Sequence, residues 1–260
     1  MTAPTVAPGT AQRRPTRRRP SRVDPGVRAA RRRFLRVLTI VGLWFWAFWA
    51  LLVVGVLIVV EQWGGEAVGF TYDVAGSPAR WIPFVVGIVV TAGALPVHVG
   101  AGGTRRAWVD GATRAAVVVG LAFGVLTVVL ALVEQQVYAE GDRPWQVDTG
   151  TVALDTAGGI AVAVTAESLV MVTYLLVGVA IAAGFRRFGP WRGTLLVAPL
   201  LVPCALVDIA TRTGIAGTPW RGGYDDVALG ALFGVGGALV VAALAYAVAH
   251  LVLRSAPLRP

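Results

Sequence analysis

The sequence predicts an all-α membrane protein: a polytopic bundle of about six transmembrane helices with both chain ends in the cytoplasm. Three observations predict it. Of 260 residues, 56% are hydrophobic and only 14% are charged, too few charges to wet the surface of a soluble domain this long. The apolar residues fall in long blocks separated by short charged clusters, the pattern of helices that cross a bilayer. The arginines concentrate on alternate connections, which fixes an orientation.

Residues 1–24 are rich in Pro, Thr, Ala and Arg, with little to bury, and read as a disordered cytoplasmic tail. From Pro25 the pattern Gly-Val-Arg-Ala-Ala-Arg-Arg-Arg-Phe-Leu-Arg-Val suits a short basic helix on the membrane surface, with Phe34 and Leu35 dipping inward. No charge separates Arg36 from Glu61, and this first span (37–60) is roughly 36 Å long as a helix, enough for the hydrocarbon core. It is too long and too Trp-rich for the apolar core of an export signal, although Arg32-Arg33-Phe34-Leu35 echoes a twin-arginine leader. The second span is expected over 81–99, where Pro83 and Pro96 favour kinks, and the third over 115–133, between Arg114 and Glu134. The fourth covers 162–185 with Glu167 near its start. The fifth, 193–210, is short enough that Asp208 must lie at or just inside an interface, and it carries Pro199 and Pro203. The sixth, 227–253, closes a transmembrane domain of residues 25–254, and 255–260 form a short tail.

With the amino terminus inside, 19 of the 23 arginines fall on cytoplasmic segments and four (Arg80, Arg143, Arg212, Arg221) on outer ones. Acidic residues are skewed the other way, and Trp63, Trp81, Trp145 and Trp220 sit where interfacial anchors belong. These features predict a multi-pass protein of the plasma membrane in contact with lipid. The formal charge of +9 does not point to nucleic acid, because its basic residues belong to this topological bias.

Catalysis is not expected, nor a cofactor. The chain has one cysteine, Cys204, which rules out an internal disulfide and a cysteine metal site. Two histidines, His98 and His250, lie near the cytoplasmic ends of their spans without further ligands, and no metal site is expected. HExxH, GxSxG and the phosphate-loop motif are all missing. Two other sets of residues stand out. Glu61, Glu134, Glu167 and Asp208 near outer helix ends are candidates for an acidic vestibule that meets a cationic substrate, or else mark the water boundary. Gly120 and Gly124, with Gly230 and Gly234, are candidate faces for helix-on-helix packing, within the chain or across a homo- or heterodimer.

The segment after span two is the most informative. After Leu95-Pro96-Val97-His98-Val99 come Gly100-Ala101-Gly102-Gly103-Thr104-Arg105-Arg106-Ala107-Trp108, a Gly-rich bend and then a basic, aromatic stretch. It reads as a cytoplasmic elbow that offers two arginines and an exposed Trp to a partner. Six spans, a basic segment before the first, this elbow, and the Phe185-Arg186-Arg187-Phe188-Gly189-Pro190-Trp191-Arg192-Gly193 turn resemble small bacterial ABC transporter permeases of the type-2 exporter class. The resemblance covers the layout of residues 25–253. It implies a permease subunit without its own ATPase, whose Gly103, Thr104, Arg105, Arg106 and Trp108, with Arg32, Arg33 and Phe34, contact a separate cytoplasmic ATPase. The residues themselves leave two other functions open: a membrane anchor or assembly protein with a basic cytoplasmic face, and a secondary carrier that uses one of its acids.

Overall fold

The computed structural model describes residues 24–63, 76–141, 145, 150–213 and 223–254. Among these the regular structure is helical, apart from a single parallel bridge between Val152 and Tyr224. Five helices are long and apolar enough to cross a membrane: α1 (Pro25–Trp63), α2 (Gly76–Gly100), α3 (Arg105–Glu140), α4 (Ala157–Thr211) and α5 (Val227–Arg254), the last with a π-helical stretch at Gly230–Val235.

The fourth helix has 55 residues and is broken at one of them, Gly189, whose φ of 78° and ψ of 177° lie where essentially only glycine is at ease. Pro190 follows; its missing N–H costs nothing at the first position of a new helix. The two arms, 157–188 and 190–211, fold back on each other. Tyr174 and Asp208 would be roughly 51 Å apart along one straight helix, yet the Tyr174 hydroxyl donates to Asp208 Oδ2 at 2.7 Å. At the bend Gly193 lies against Phe185 so closely that an added Cβ would be 2.9 Å from the Phe185 Cα.

The first arm of α4 is the hub. Its residues Val170 to Gly184 are buried all round, the signature of a helix enclosed by other helices. Close backbone approach fixes its neighbours. A Cβ on Gly87 of α2 would sit 2.5 Å from the Leu175 carbonyl, and Gly178 is pressed against the Phe84 carbonyl. On the other side Gly120 and Gly124 of α3 face the Ser168 and Val164 carbonyls, which an added Cβ would approach to 2.7 and 2.6 Å. That pair lies where α3 meets the first arm of α4. At Gly230 and Gly234 an added Cβ would first meet Val152 and Thr151, an extended segment at the end of the bundle, with Val162 and Ala210 of α4 just beyond. Small residues there make room for a strap.

The basic segment expected to lie separately on the membrane surface is instead continuous with the first span. No Gly or Pro interrupts Val27–Val41, the stretch that joins the basic segment to the first span, so nothing in the backbone stops the helix between them. Its Val27, Ala30, Phe34 and Leu38 recur at helical spacing and are buried. The next turns of α1 present Leu43, Trp44, Phe48 and Leu51 outward, and Val89, Leu232 and Val240 of other helices are exposed likewise. Such an apolar exterior suits lipid.

Candidate functional site

Two polar regions occupy opposite ends of the bundle. At one end, Arg80 in the first turns of α2 is 2% exposed. Its guanidinium donates to Asp208 Oδ1 at 2.6 Å and to the Thr213 carbonyl. The other oxygen of Asp208 accepts from Tyr174, and Trp81 packs edge-on against the Tyr174 ring at 5.3 Å. The group joins α2 to both arms of α4. Glu167, two turns before Tyr174 on the same face, is 1% exposed, and neither carboxylate oxygen has a hydrogen-bond partner among the described residues.

Over this group lies a cap built from residues 150–156 and 223–226. Thr151 donates its hydroxyl to the Thr211 carbonyl at 2.9 Å, so the end of α4 is satisfied from outside the helix. Tyr224 N–H donates to the Thr151 carbonyl at 2.7 Å and its hydroxyl to the Ala210 carbonyl at 2.9 Å. Arg212 lies 3.9 Å over the Tyr224 ring and donates to the Gly223 carbonyl.

The acids expected to form a vestibule therefore have a different setting. Glu134, Glu167 and Asp208 are all buried, and Asp208 is consumed by an ion pair, so these three line no open mouth. The side chain of Glu61 lies outside the described residues, as do those of Trp63 and Trp220. Sequence reasoning missed Arg80 as the partner of Asp208 and counted it as an interfacial charge. The only signal was one arginine opening a span and one aspartate closing another.

At the other end sit the start of α1, the elbow between α2 and α3, the Gly189 bend and the end of α5. The elbow is a defined turn. Gly102, at φ 86°, ends α2: Gly102 N–H donates to the Val99 carbonyl and Gly103 N–H to the His98 carbonyl, both at 2.9 Å. Thr104 then starts α3 by accepting the Ala107 N–H on its hydroxyl at 3.0 Å. Gly103 passes directly over the His98 ring, leaving no room for a side chain.

Trp108 is not exposed for a partner; it is 1% exposed and knots three helices together. Its ring packs on Phe34 of α1 and His98 of α2, each at 5.2 Å between centroids, and its indole N–H donates to Thr91 at 3.3 Å. Phe34, also offered as a contact residue, is equally buried. The physical reason is helical spacing: Trp108, Val109, Ala112, Ala115 and Ala116 form one inward stripe. Thr104, Arg106, Arg32 and Arg33 do face outward, while Gly103 and Arg105 are half-buried. Arg105 donates to the Arg254 carbonyl at 3.1 Å, and Arg106 lies 3.8 Å from Asp110.

Arg186, beside the bend, donates to the Ala92 carbonyl of α2. That carbonyl would normally accept from the residue four positions on, which is Pro96 and has no N–H. The proline that thins the second span thus leaves an acceptor free, and Arg186, near the end of the first arm of α4, fills it. Among the described residues no group of three or more His, Cys, Asp or Glu is placed to hold a metal ion. Comparison with family models, with curated proteins and with solved structures found no match to this chain.

Proposed function

We propose that the protein is a membrane-embedded, permease-like subunit that works with a separate cytoplasmic ATPase, crossing the bilayer six times with both ends inside. Six crossings follow if each arm of α4 spans once; the fold-back at Gly189 supports that count. The orientation rests on the arginine bias. One observation carries the functional reading: the elbow is a defined turn whose Trp108 packs against α1 and α2 as well as its own helix. Arg106 and Thr104 are exposed on its outside, while Trp108 behind them is clamped by Phe34, His98 and Thr91. A push on the elbow therefore moves α1, α2 and α3 together. In this reading Arg32, Arg33, Thr104, Arg105 and Arg106 meet the partner, and Phe34 and Trp108 transmit its motion.

The test is affinity purification in mild detergent of the parent, of Arg105→Glu/Arg106→Glu and of Trp108→Leu. The expected outcome is a co-purifying ATPase that is lost with the double charge reversal and kept with Trp108→Leu. If no ATPase accompanies the parent, an anchor or assembly role replaces the permease. Glu167 favours a second reading, an ion-coupled carrier, since buried carboxylates in membrane helices mark ion pathways. That reading expects Glu167→Gln to abolish transport and Arg105→Glu/Arg106→Glu to spare it.

A further inference from the structure

Beside the elbow, between the start of α3 and the last turn of α5, lies a cleft of about 590 Å³. Its polar wall is Arg105, Arg106, Arg254 and His250, and its apolar floor includes Val109 and Leu253. Among the described residues no carboxylate lines it. The nearest acid, Asp110, is engaged on both oxygens: it accepts from the Tyr246 hydroxyl at 2.9 Å and lies 3.8 Å from Arg106 Nε. The walls are fixed relative to each other, because Arg105 bridges to the Arg254 carbonyl and Tyr246 to Asp110. Two further features point the same way. His250, stacked on Tyr246, keeps its Nδ1 away from solvent with no hydrogen-bond partner among the described residues. The first N–H groups of the 36-residue helix α3, those of Arg105 and Arg106, open onto this end, where a helix favours negative charge.

We propose that this cleft binds an anionic phosphoryl group. Three guanidinium groups around one concavity match the several oxygens of a phosphate better than a single carboxylate, and each contact is a charge-assisted hydrogen bond. The group can belong to an acidic phospholipid headgroup or to a free phosphate. The apolar floor, with Val97 and Leu251 exposed on the neighbouring turns, offers a path for an acyl chain and favours the lipid. The site does not depend on the permease reading. Arg105 and Arg106 serve in both, whereas Arg254 and His250 take no part in the partner contact proposed above; ligand binding is measured on the purified protein with no ATPase present, so loss of this ligand and loss of the ATPase are separate results.

The experiment uses the purified full-length protein in a neutral detergent. Binding of phosphatidylglycerol, phosphatidylcholine and inorganic phosphate is followed by native mass spectrometry and by the shift in unfolding temperature. Phosphatidylglycerol is expected to bind and stabilise, and Arg106→Gln/Arg254→Gln to weaken it by about tenfold or more. Both positions are exposed, and the Arg254 carbonyl that holds Arg105 is backbone, so the variant keeps its fold. Arg187→Gln/Arg192→Gln, at the Gly189 bend of the same end, is expected to leave binding intact. Competition by inorganic phosphate at similar concentration would identify the ligand as a soluble phosphate at the same site. Equal binding of phosphatidylcholine, or equal losses from the two arginine pairs, would overturn the proposal, because binding would then reflect diffuse surface charge.

Discussion

At the scale of single residues, the decisive feature is that a buried arginine and aspartate depend on each other. Removing one partner of a buried pair leaves an uncompensated charge, which costs about 3–5 kcal/mol. Asp208→Ala is therefore expected to lower the unfolding temperature in detergent sharply, while Arg80→Leu/Asp208→Leu loses less than the single variant. Tyr174→Phe removes one hydrogen bond to a charged acceptor and should cost about 1.5–3 kcal/mol in the same assay. None of this pairing was legible in the chain, where the two residues lie 128 positions apart with no local pattern to join them. Trp108 was legible but misleading. Two arginines beside an aromatic suggest a surface, and only the stripe through Ala112, Ala115 and Ala116 reveals that the ring points inward.

At the scale of elements, the glycines separate into those that bend the chain and those that admit a neighbour. Gly189 has open space around it, so Gly189→Ala is strained by its backbone alone, at about 1–3 kcal/mol. Gly178→Ala meets the Phe84 carbonyl and must part α2 from α4. Gly93→Ala, also in α2 but with nothing within 4 Å, should instead stabilise by up to about 1 kcal/mol through helix propensity. Size-exclusion profiles and thermal unfolding of the three variants check that ranking. The positions of the helices could be read from the sequence because hydrophobicity over a window is a local property. Their ends could not. α3 runs from Arg105 to Glu140, well beyond the uncharged stretch 115–133, because charged residues at a helix end extend it as readily as apolar ones. The strap 150–156 was not foreseen either, since its hydrogen bonds are made to α4 and to Tyr224 and not within itself.

At the scale of the whole molecule, the described parts of the arginine-bearing segments that the sequence assigns to one side gather at one end. Arg105 touches the end of α5, and the start of α1 lies against the elbow. Which end faces the cytoplasm is open to a direct check. Cys204 is the single cysteine and is buried, so the parent should react slowly with a membrane-impermeant maleimide. Asp155→Cys and Arg192→Cys are both exposed positions at opposite ends. In intact cells the first is expected to label and the second only after permeabilisation. The reverse pattern would invert the orientation and place the basic elbow outside. The Arg80–Asp208 pair also has a consequence for how the protein is made. At about 5–20 residues per second, roughly 6–26 s separate the synthesis of Arg80 from that of Asp208. Throughout that interval α2 carries a charge whose counterpart does not yet exist. Its final seating must then wait for the second arm of α4, and nascent chains that stop short of Asp208 are expected to hold α2 at the insertion machinery instead of releasing it to the lipid.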